Sequence, residues 1–389
     1  MDANKNITVK NIRNANIIKV MYSLIKDGNK TRNVLAKENH ISLMTVKHIV
    51  DDLVENGILT ETVCNDTEIG RKPKILQINN IYGNIVCINL TSKKEITFLI
   101  YDIYEQLVDK GSIKIDKNIS YKQNICCVID AVKTKLQNIP STTVGVAVFV
   151  PSAYYEDMDL INYDLIADFK DLHIKSLLNK MFNIDNILVI HDVYSAAKSE
   201  YDSLNSTNES QFYFYCGTGI GGFFINNNVP IIGRDLMAGE IGKMIVSEKD
   251  NWDKYVILED IASVEAVSAK MKQHGIDKDF AEIIAMYNEK DEQVQKILKP
   301  ILDVITKVLY NLLWVYNPDR IIIDSCYKQY SSLIVKHVKA FYEKMQNKAI
   351  PINVEIQEAK YNEYHTMRGC FHMVRDNWIK DIAQTNSNK

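Results

Sequence analysis

The chain has 389 residues, 46% hydrophobic and 24% charged, with a formal net charge of −3, which fits a globular protein of two or three domains. No stretch approaches the length of a bilayer span and the N-terminal MDANKNITVKN carries no apolar run, so neither a membrane segment nor a signal peptide is expected. The seven cysteines (64, 87, 126, 127, 216, 326 and 370) are odd in number and lack CxxC spacing, which excludes a disulfide frame and points to reduced thiols in the cytoplasm.

Charge is unevenly distributed. Residues 1–80 hold 12 Lys/Arg against 9 Asp/Glu, a balance of +3, and the remainder holds 34 against 40, a balance of −6. A basic head on an acidic body suits a head that meets a polyanion, although +3 is also ordinary for a solvated surface.

Along residues 11–60 the pattern predicts three helices and a strand. Ile17, Ile18, Met21, Leu24 and Ile25 recur at helical spacing and Asp27-Gly28 ends the first helix. Thr31 is placed to cap a second helix through Val34, Leu35 and Ala36. Ser42 is placed to cap a third, whose apolar stripe is Val46, Ile49, Val50 and Leu53 and whose end is Asn56-Gly57. Apolar runs at 58–63 and 75–78 flank Gly70-Arg71-Lys72-Pro73-Lys74 and predict a hairpin wing.

Beyond residue 80 strands and helices alternate, which argues for an α/β body. Strands are expected at 85–90, 96–101, 143–150, 187–191, 212–216, 222–225 and 320–324, and helices near 122–137, 171–182, 193–205, 255–273 and 295–316. The polar tail, 384–389, is expected to be disordered. His365 and His372 lie seven apart on a C-terminal helix and read as ordinary polar residues. Cys126-Cys127 reads as core.

The third helix has the two faces a DNA reader needs. Opposite its apolar stripe stand Leu43, Met44, Thr45, Lys47 and His48, near its N-terminal end. Lys47 and His48 offer donors, Thr45 a hydroxyl, and Leu43 or Met44 a surface for thymine methyls. Arg71 and Lys72 on the wing tip can enter a minor groove or clamp phosphates. The alternative for the helices alone is a three-helix domain with a solvated face; the cationic tip favours DNA.

The segment 14–76, with S-x-x-T-V-x-x-I-V-x-x-L-x-x-x-G-I-L followed by G-R-K-P-x-x-L, resembles the head of regulators of the ROK family (repressor, open reading frame, kinase), the branch of xylose and N-acetylglucosamine repressors. Lys47 stands where the family pattern usually has Ser. Later segments resemble the family body in the same order: Gly217-Thr218-Gly219-Ile220-Gly221-Gly222, Ala238-Gly239-Glu240-Ile241-Gly242, Leu258-Glu259 and His191-Asp192. The resemblance implies a winged helix-turn-helix head (1–80) and a two-lobed, actin-like (ribonuclease H-like) α/β sugar-kinase fold. Lobe 1 would span 81–195, with a C-terminal helix near 362–380 returning to it, and lobe 2 would span 196–361 and carry dimerisation.

Departures from the family pattern are informative. The phosphate turn that opens family kinases, D-x-G-G-T, is Asn89-Leu90-Thr91-Ser92-Lys93 here. Ser152 replaces a glycine after Pro151, and the late I-G-G is Ile323-Asp324-Ser325. Lys243 replaces the family's zinc-binding His, and 246–257 holds no cysteine, so no zinc, cofactor or catalytic residue is expected. The acids Asp192, Glu240 and Glu259 match sugar-contacting positions, with His191 and Lys243 beside them. The expected function is a sequence-specific transcriptional regulator of carbohydrate-metabolism genes, of the repressor type, whose non-catalytic cleft takes a sugar or sugar phosphate and whose dimer reads double-stranded operator DNA. A residual ATP-dependent sugar kinase and a ligand-independent repressor are the alternatives.

Overall fold

The computed structural model describes residues 9–63, 74–92, 94–162, 169–203, 209–248, 255–345, 353–360 and 365–386. The chain divides into two compact units, Met1–Ile190 with Cys370–Lys389, and His191–Gly369.

The first unit opens with α1 (Val9–Asp27), α2 (Arg32–Asn39) and α3 (Leu43–Glu55), followed by β1 (Leu59–Val63) and β2 (Lys74–Ile78). Each helix has a physical start or stop. Gly28 leaves α1 with φ +66°, Thr31 Oγ1 accepts the Val34 N–H at α2, and Ser42 Oγ accepts the Thr45 N–H at α3. The stripe Val46, Ile49, Val50 and Leu53 is buried against the rest of the head. The strands β1 and β2 pair antiparallel from Leu59↔Ile78 to Val63↔Lys74. The wing tip, with Arg71 and Lys72, lies outside the described residues.

The same unit contains a sheet of five strands: β3 (Tyr82–Asn89), β4 (Glu95–Asp102), β5 (Leu107–Lys114), β6 (Thr142–Val150) and, later, β9 (Ile187–His191), ordered β5-β4-β3-β6-β9. Between them come α4 (Tyr121–Leu136), the short strands β7 (Tyr154–Tyr155) and β8 (Leu160–Ile161), and α5 (Ile174–Phe182). Residues Gly83 to Ile88 are buried without alternation, the mark of a strand covered on both faces. One face packs Val86, Ile88, Val146 and Val148 on Val128, Ile129, Ile174 and Leu178 of α4 and α5. The other receives α12 (His365–Thr385): Phe371 lies 5.3 Å from the Tyr101 ring and Asn186 Nδ2 donates to the Val374 carbonyl.

The second unit repeats the plan. It contains α6 (Asp192–Asp202), β10 (Ser210–Cys216), β11 (Ile220–Asn226), β12 (Val229–Pro230), the hairpin β13 (Ile245–Glu248) and β14 (Tyr255–Ile257), α7 (Glu259–Ala262), α8 (Val264–Gln273), α9 (Phe280–Asn288), α10 (Glu292–Tyr316), β15 (Arg320–Asp324), α11 (Lys328–Met345) and β16 (Glu355–Glu358). Its sheet runs β12-β11-β10-β15-β16. In chain order both five-stranded sheets therefore read 3-2-1-4-5, the duplicated sheet expected of an actin-like body. Strand alternation sorts β10: Phe212 and Phe214 join the core under α8–α11, and Tyr213 packs toward α6 with Val193 and Ala197.

Three expectations need correction. The helix expected at 255–273 is β14, α7 and α8, because Ser263 has extended backbone and caps a new helix through the Ala266 N–H. Helix α11 was not anticipated, although Tyr330, Leu333, Ile334 and Val338 are buried at helical spacing. The tail is ordered as far as it is described: α12 runs to Thr385 and Asn386 is buried.

Gly145 of β6 is where α12 seats on the first sheet. A Cβ there would lie 2.3 Å from Val374 and 2.6 Å from the Asn186 amide. Gly145→Ala is expected to cost about 1–3 kcal/mol in urea unfolding, and Val374→Ala in that background should recover part of the loss.

Candidate functional site

On α3, Leu43 and Met44 are 51% and 64% exposed, and Lys47 and His48, one turn on, are also exposed. The four form a continuous apolar-then-cationic surface at the helix's N-terminal end. Thr45 differs from its sequence-based role: it is half-buried, and its hydroxyl lies 2.8 Å from Ser42 Oγ in the cap. Of the three acids on this helix, Asp51, Asp52 and Glu55, which would repel phosphate, the first two are paired. Asp51 meets Arg32 at 2.7 Å and Asp52 meets Arg13. Arg32 also pairs with Glu61 of β1, which Lys74 reaches at 2.7 Å. Sequence reasoning missed Arg13 and Arg32, because pairing across 39 and 19 positions leaves no local pattern.

In the second unit, His191 ends β9 and Asp192 starts α6. Asp192 Oδ1 accepts the N–H of Val193 at 2.7 Å at a helix N-terminus, where a carboxylate is favoured. His191 Nε2 stands 3.6 Å from the same oxygen. Val193 in turn packs on Gly221 of β11, with 3.2 Å left for a Cβ. Glu259 heads α7 and its carboxylate bridges two elements: Oε2 accepts the Ile220 N–H at 2.9 Å, and Oε1 lies 3.4 Å from Lys243 Nζ. Glu240 is half-buried and directly follows Gly239, whose carbonyl accepts the Gly222 N–H at 2.8 Å. Residues 220–222 of β11 thus contact Glu259 directly and the chain neighbours of Asp192 and Glu240, namely Val193 and Gly239.

The glycines of this region serve the protein's own packing. A Cβ at Gly217 would strike the Tyr215 ring at 2.3 Å, one at Gly242 would lie 2.5 Å from the Ile220 carbonyl, and one at Gly239 (φ +100°) would lie 2.0 Å from the Gly222 carbonyl. Three amides of the turn are engaged within the protein. The N–H groups of Gly217, Ile220 and Gly222 donate to Gly219, Glu259 and Gly239. Asn89 Oδ1 accepts both the amide and the hydroxyl of Thr91, and Ser92 Oγ accepts the Lys94 amide at 3.1 Å. Ser152 is buried. Asp324 accepts the Ser325 N–H at 2.8 Å and the Tyr213 hydroxyl. Burial pushes the Tyr215 hydroxyl well above its ordinary range, with Cys326, Asp192 and Asp324 adding to the effect.

No three His, Cys, Asp or Glu side chains cluster to hold a metal among the described residues, and part of 246–257 lies outside them. Also among the described residues, no helix is long and apolar enough to cross a membrane.

The head is three helices with an antiparallel strand pair, and two five-stranded sheets of the same strand order follow it. The chain belongs to the ROK family, whose model matches residues 92–377. A xylose repressor of Staphylococcus xylosus is 27% identical over 330 residues, covering 80% of this chain and 82% of that one. An N-acetyl-D-glucosamine kinase of Escherichia coli O6:H1 is 25% identical over 171 residues, 40% of this chain and 55% of the kinase. Among solved structures, a ROK family transcriptional regulator described as a homologue of the E. coli MLC protein superposes with a TM-score of 0.77 at 17% identity, covering 97% of this chain and 99% of its own. The ROK hexokinase of Thermus thermophilus superposes with a TM-score of 0.62 at 14% identity, covering 74% of this chain and 97% of its own. The regulator thus shares the fold of nearly the whole chain, and the hexokinase that of about three quarters.

Glu259→Ala removes the acceptor of the Ile220 amide and is expected to cost about 1–3 kcal/mol in urea unfolding. Glu259→Gln keeps an acceptor oxygen and loses only a half-exposed ion pair, so its cost should stay under about 1 kcal/mol.

Proposed function

We propose that this protein is a sugar-responsive, DNA-binding transcriptional repressor in which a body of kinase ancestry senses a ligand and performs no phosphotransfer. The observation that carries the reading is the α3 surface: Leu43, Met44, Lys47 and His48 exposed together, with Asp51 and Asp52 neutralised by Arg32 and Arg13. Such a helix can lie in a major groove with its N-terminal half toward the bases, Asp51 and Asp52 masked and Glu55 left at its far, C-terminal end. Arg71 and Lys72 on the wing would add phosphate or minor-groove contacts.

The absence of catalysis is supported by the turns at Asn89–Ser92 and 217–222, where the amides of Thr91, Gly217, Ile220 and Gly222 already have partners within the protein. Asp324 adds a fixed carboxylate where charge repulsion would act on a polyphosphate. The kinase alternative predicts ATP turnover that depends on Asp192.

His191, Asp192, Glu240, Lys243 and Glu259 form the ligand site in this reading. Lys243 is already paired with Glu259, which leaves Asp192 and Glu240 as a negative surplus. A phosphate dianion about 5 Å from one such carboxylate would meet roughly 6 kcal/mol of repulsion at an effective dielectric of 20. A neutral sugar, whose hydroxyls donate to carboxylates, therefore fits better than a sugar phosphate. The relatives named xylose repressors make xylose the first sugar to test. Ligand would shift a population of conformers that differ in operator affinity. A homodimer in the cytoplasm would present two heads to a two-fold operator.

The decisive experiment measures fluorescence anisotropy on DNA from immediately upstream of the gene, with and without a panel of sugars and sugar phosphates. Tight, salt-dependent binding altered by a neutral sugar is the expected result; binding unaffected by every ligand would favour a repressor with a scaffold body, and no binding would return the kinase reading. Lys47→Ala should weaken operator binding and reduce the magnitude of the salt slope by about 1. Glu240→Gln should abolish the ligand response and spare affinity for DNA.

A further inference from the structure

The last turn of α12 reaches back to the head. Asn386, 5% exposed, accepts from Asn56 Nδ2 through its side-chain oxygen, and its carbonyl accepts from Arg13 Nε at 3.4 Å. Asn56 is the C-cap of α3 and donates to the Asp52 carbonyl at 2.8 Å. Arg13 holds the Asp52 carboxylate. The residue that follows α12 therefore touches both groups that fix the C-terminal end of the recognition helix. Ten residues earlier, Asp376 accepts from the Tyr22 hydroxyl of α1.

The same helix is gripped by the first sheet. His372 Nε2 lies 2.9 Å from Glu105 Oε2, Arg375 donates to the Ile103 carbonyl at 3.3 Å, and the Trp378 ring lies 6.1 Å from Tyr82. A continuous helix is stiff over this length, at 1.5 Å per residue, so a rotation about one grip is felt at the other. At its first turn, Gly369 sits against the Ser195 carbonyl of α6, where a Cβ would approach to 2.1 Å. Asp192 begins that same α6.

We propose that Asn386 and Asp376 are positioning residues for DNA binding: through Asn56, Arg13 and Tyr22 they set the pose of α3 on the body, and α12 is the lever that carries it. This rests on the DNA-binding reading for its affinity readout and is independent of it for its geometry.

The test uses the full-length protein with Asn386→Ala, and with Tyr22→Phe as a milder variant that removes one hydroxyl. Operator affinity is measured across salt concentrations, and the distance between spin labels at the exposed positions Val34 and Val108 is measured by pulsed electron resonance. Each variant is expected to lose about tenfold in affinity with an unchanged salt slope, since no phosphate contact is removed, and to broaden the distance distribution. Lys47→Ala should do the reverse, with a shallower slope and an unchanged distribution. A distribution that stays narrow in both variants would overturn the proposal, whether or not affinity falls. A broadened distribution in a protein that binds no operator would uphold the lever and refute the DNA-binding reading.

Discussion

The carboxylate of Glu259 is the interaction on which the glycine turn of the second unit depends. One oxygen holds the amide of Ile220 and the other faces Lys243, so a single side chain joins the glycine turn to the segment after Glu240. Gly219 and Gly242 make room for that carboxylate, with a Cβ falling 3.3 Å and 2.9 Å from it. The glycines of the turn therefore have a reason to be glycine that needs no phosphate. A glycine-rich turn read from sequence alone suggests an anion cradle; here the turn accepts an internal anion instead. A turn built this way already contains its negative charge.

The head solves a related electrostatic problem. The helix α3 carries two adjacent acids in its second half, which would be unfavourable beside a phosphate backbone. Arg32 and Arg13 hold them from α2 and α1, while Lys47 and His48 stay exposed. The same arginines knit the helices and the first wing strand together, so the neutralisation is also part of what gives the small head its shape. Because these pairs are partly exposed, their value lies more in geometry and local potential than in stability.

Much of the architecture was legible in the chain. The stripe Val46, Ile49, Val50 and Leu53 fixed the buried face of α3, and the caps Thr31 and Ser42 act as capping residues. Strands β9 and β15 begin and end where apolar runs predicted. Polar edges were harder. The strand β5, with its sequence LVDKGSIK, alternates exposed and half-buried residues and offers little hydrophobic signal. Ser263 broke a long helical pattern because a serine can cap as readily as it can continue. The tail misled for a different reason: polar composition speaks for disorder, but Asn386 is buried by partners 330 and 373 positions away, which no local window contains. Around Glu259 the residue types were visible in sequence, whereas the two contacts of its carboxylate, with the Ile220 amide and with Lys243, were not.

A kinase body is a reasonable starting point for a sensor on physical grounds. A phosphotransfer enzyme must keep backbone amides free for phosphate and must exclude water at the reacting centre. A sensor needs only a differential affinity between two conformers. Filling the phosphate turns with internal acceptors, Asn89 and Ser92 in one unit and Glu259 in the other, satisfies groups that an enzyme leaves waiting, and so steadies the fold without nucleotide.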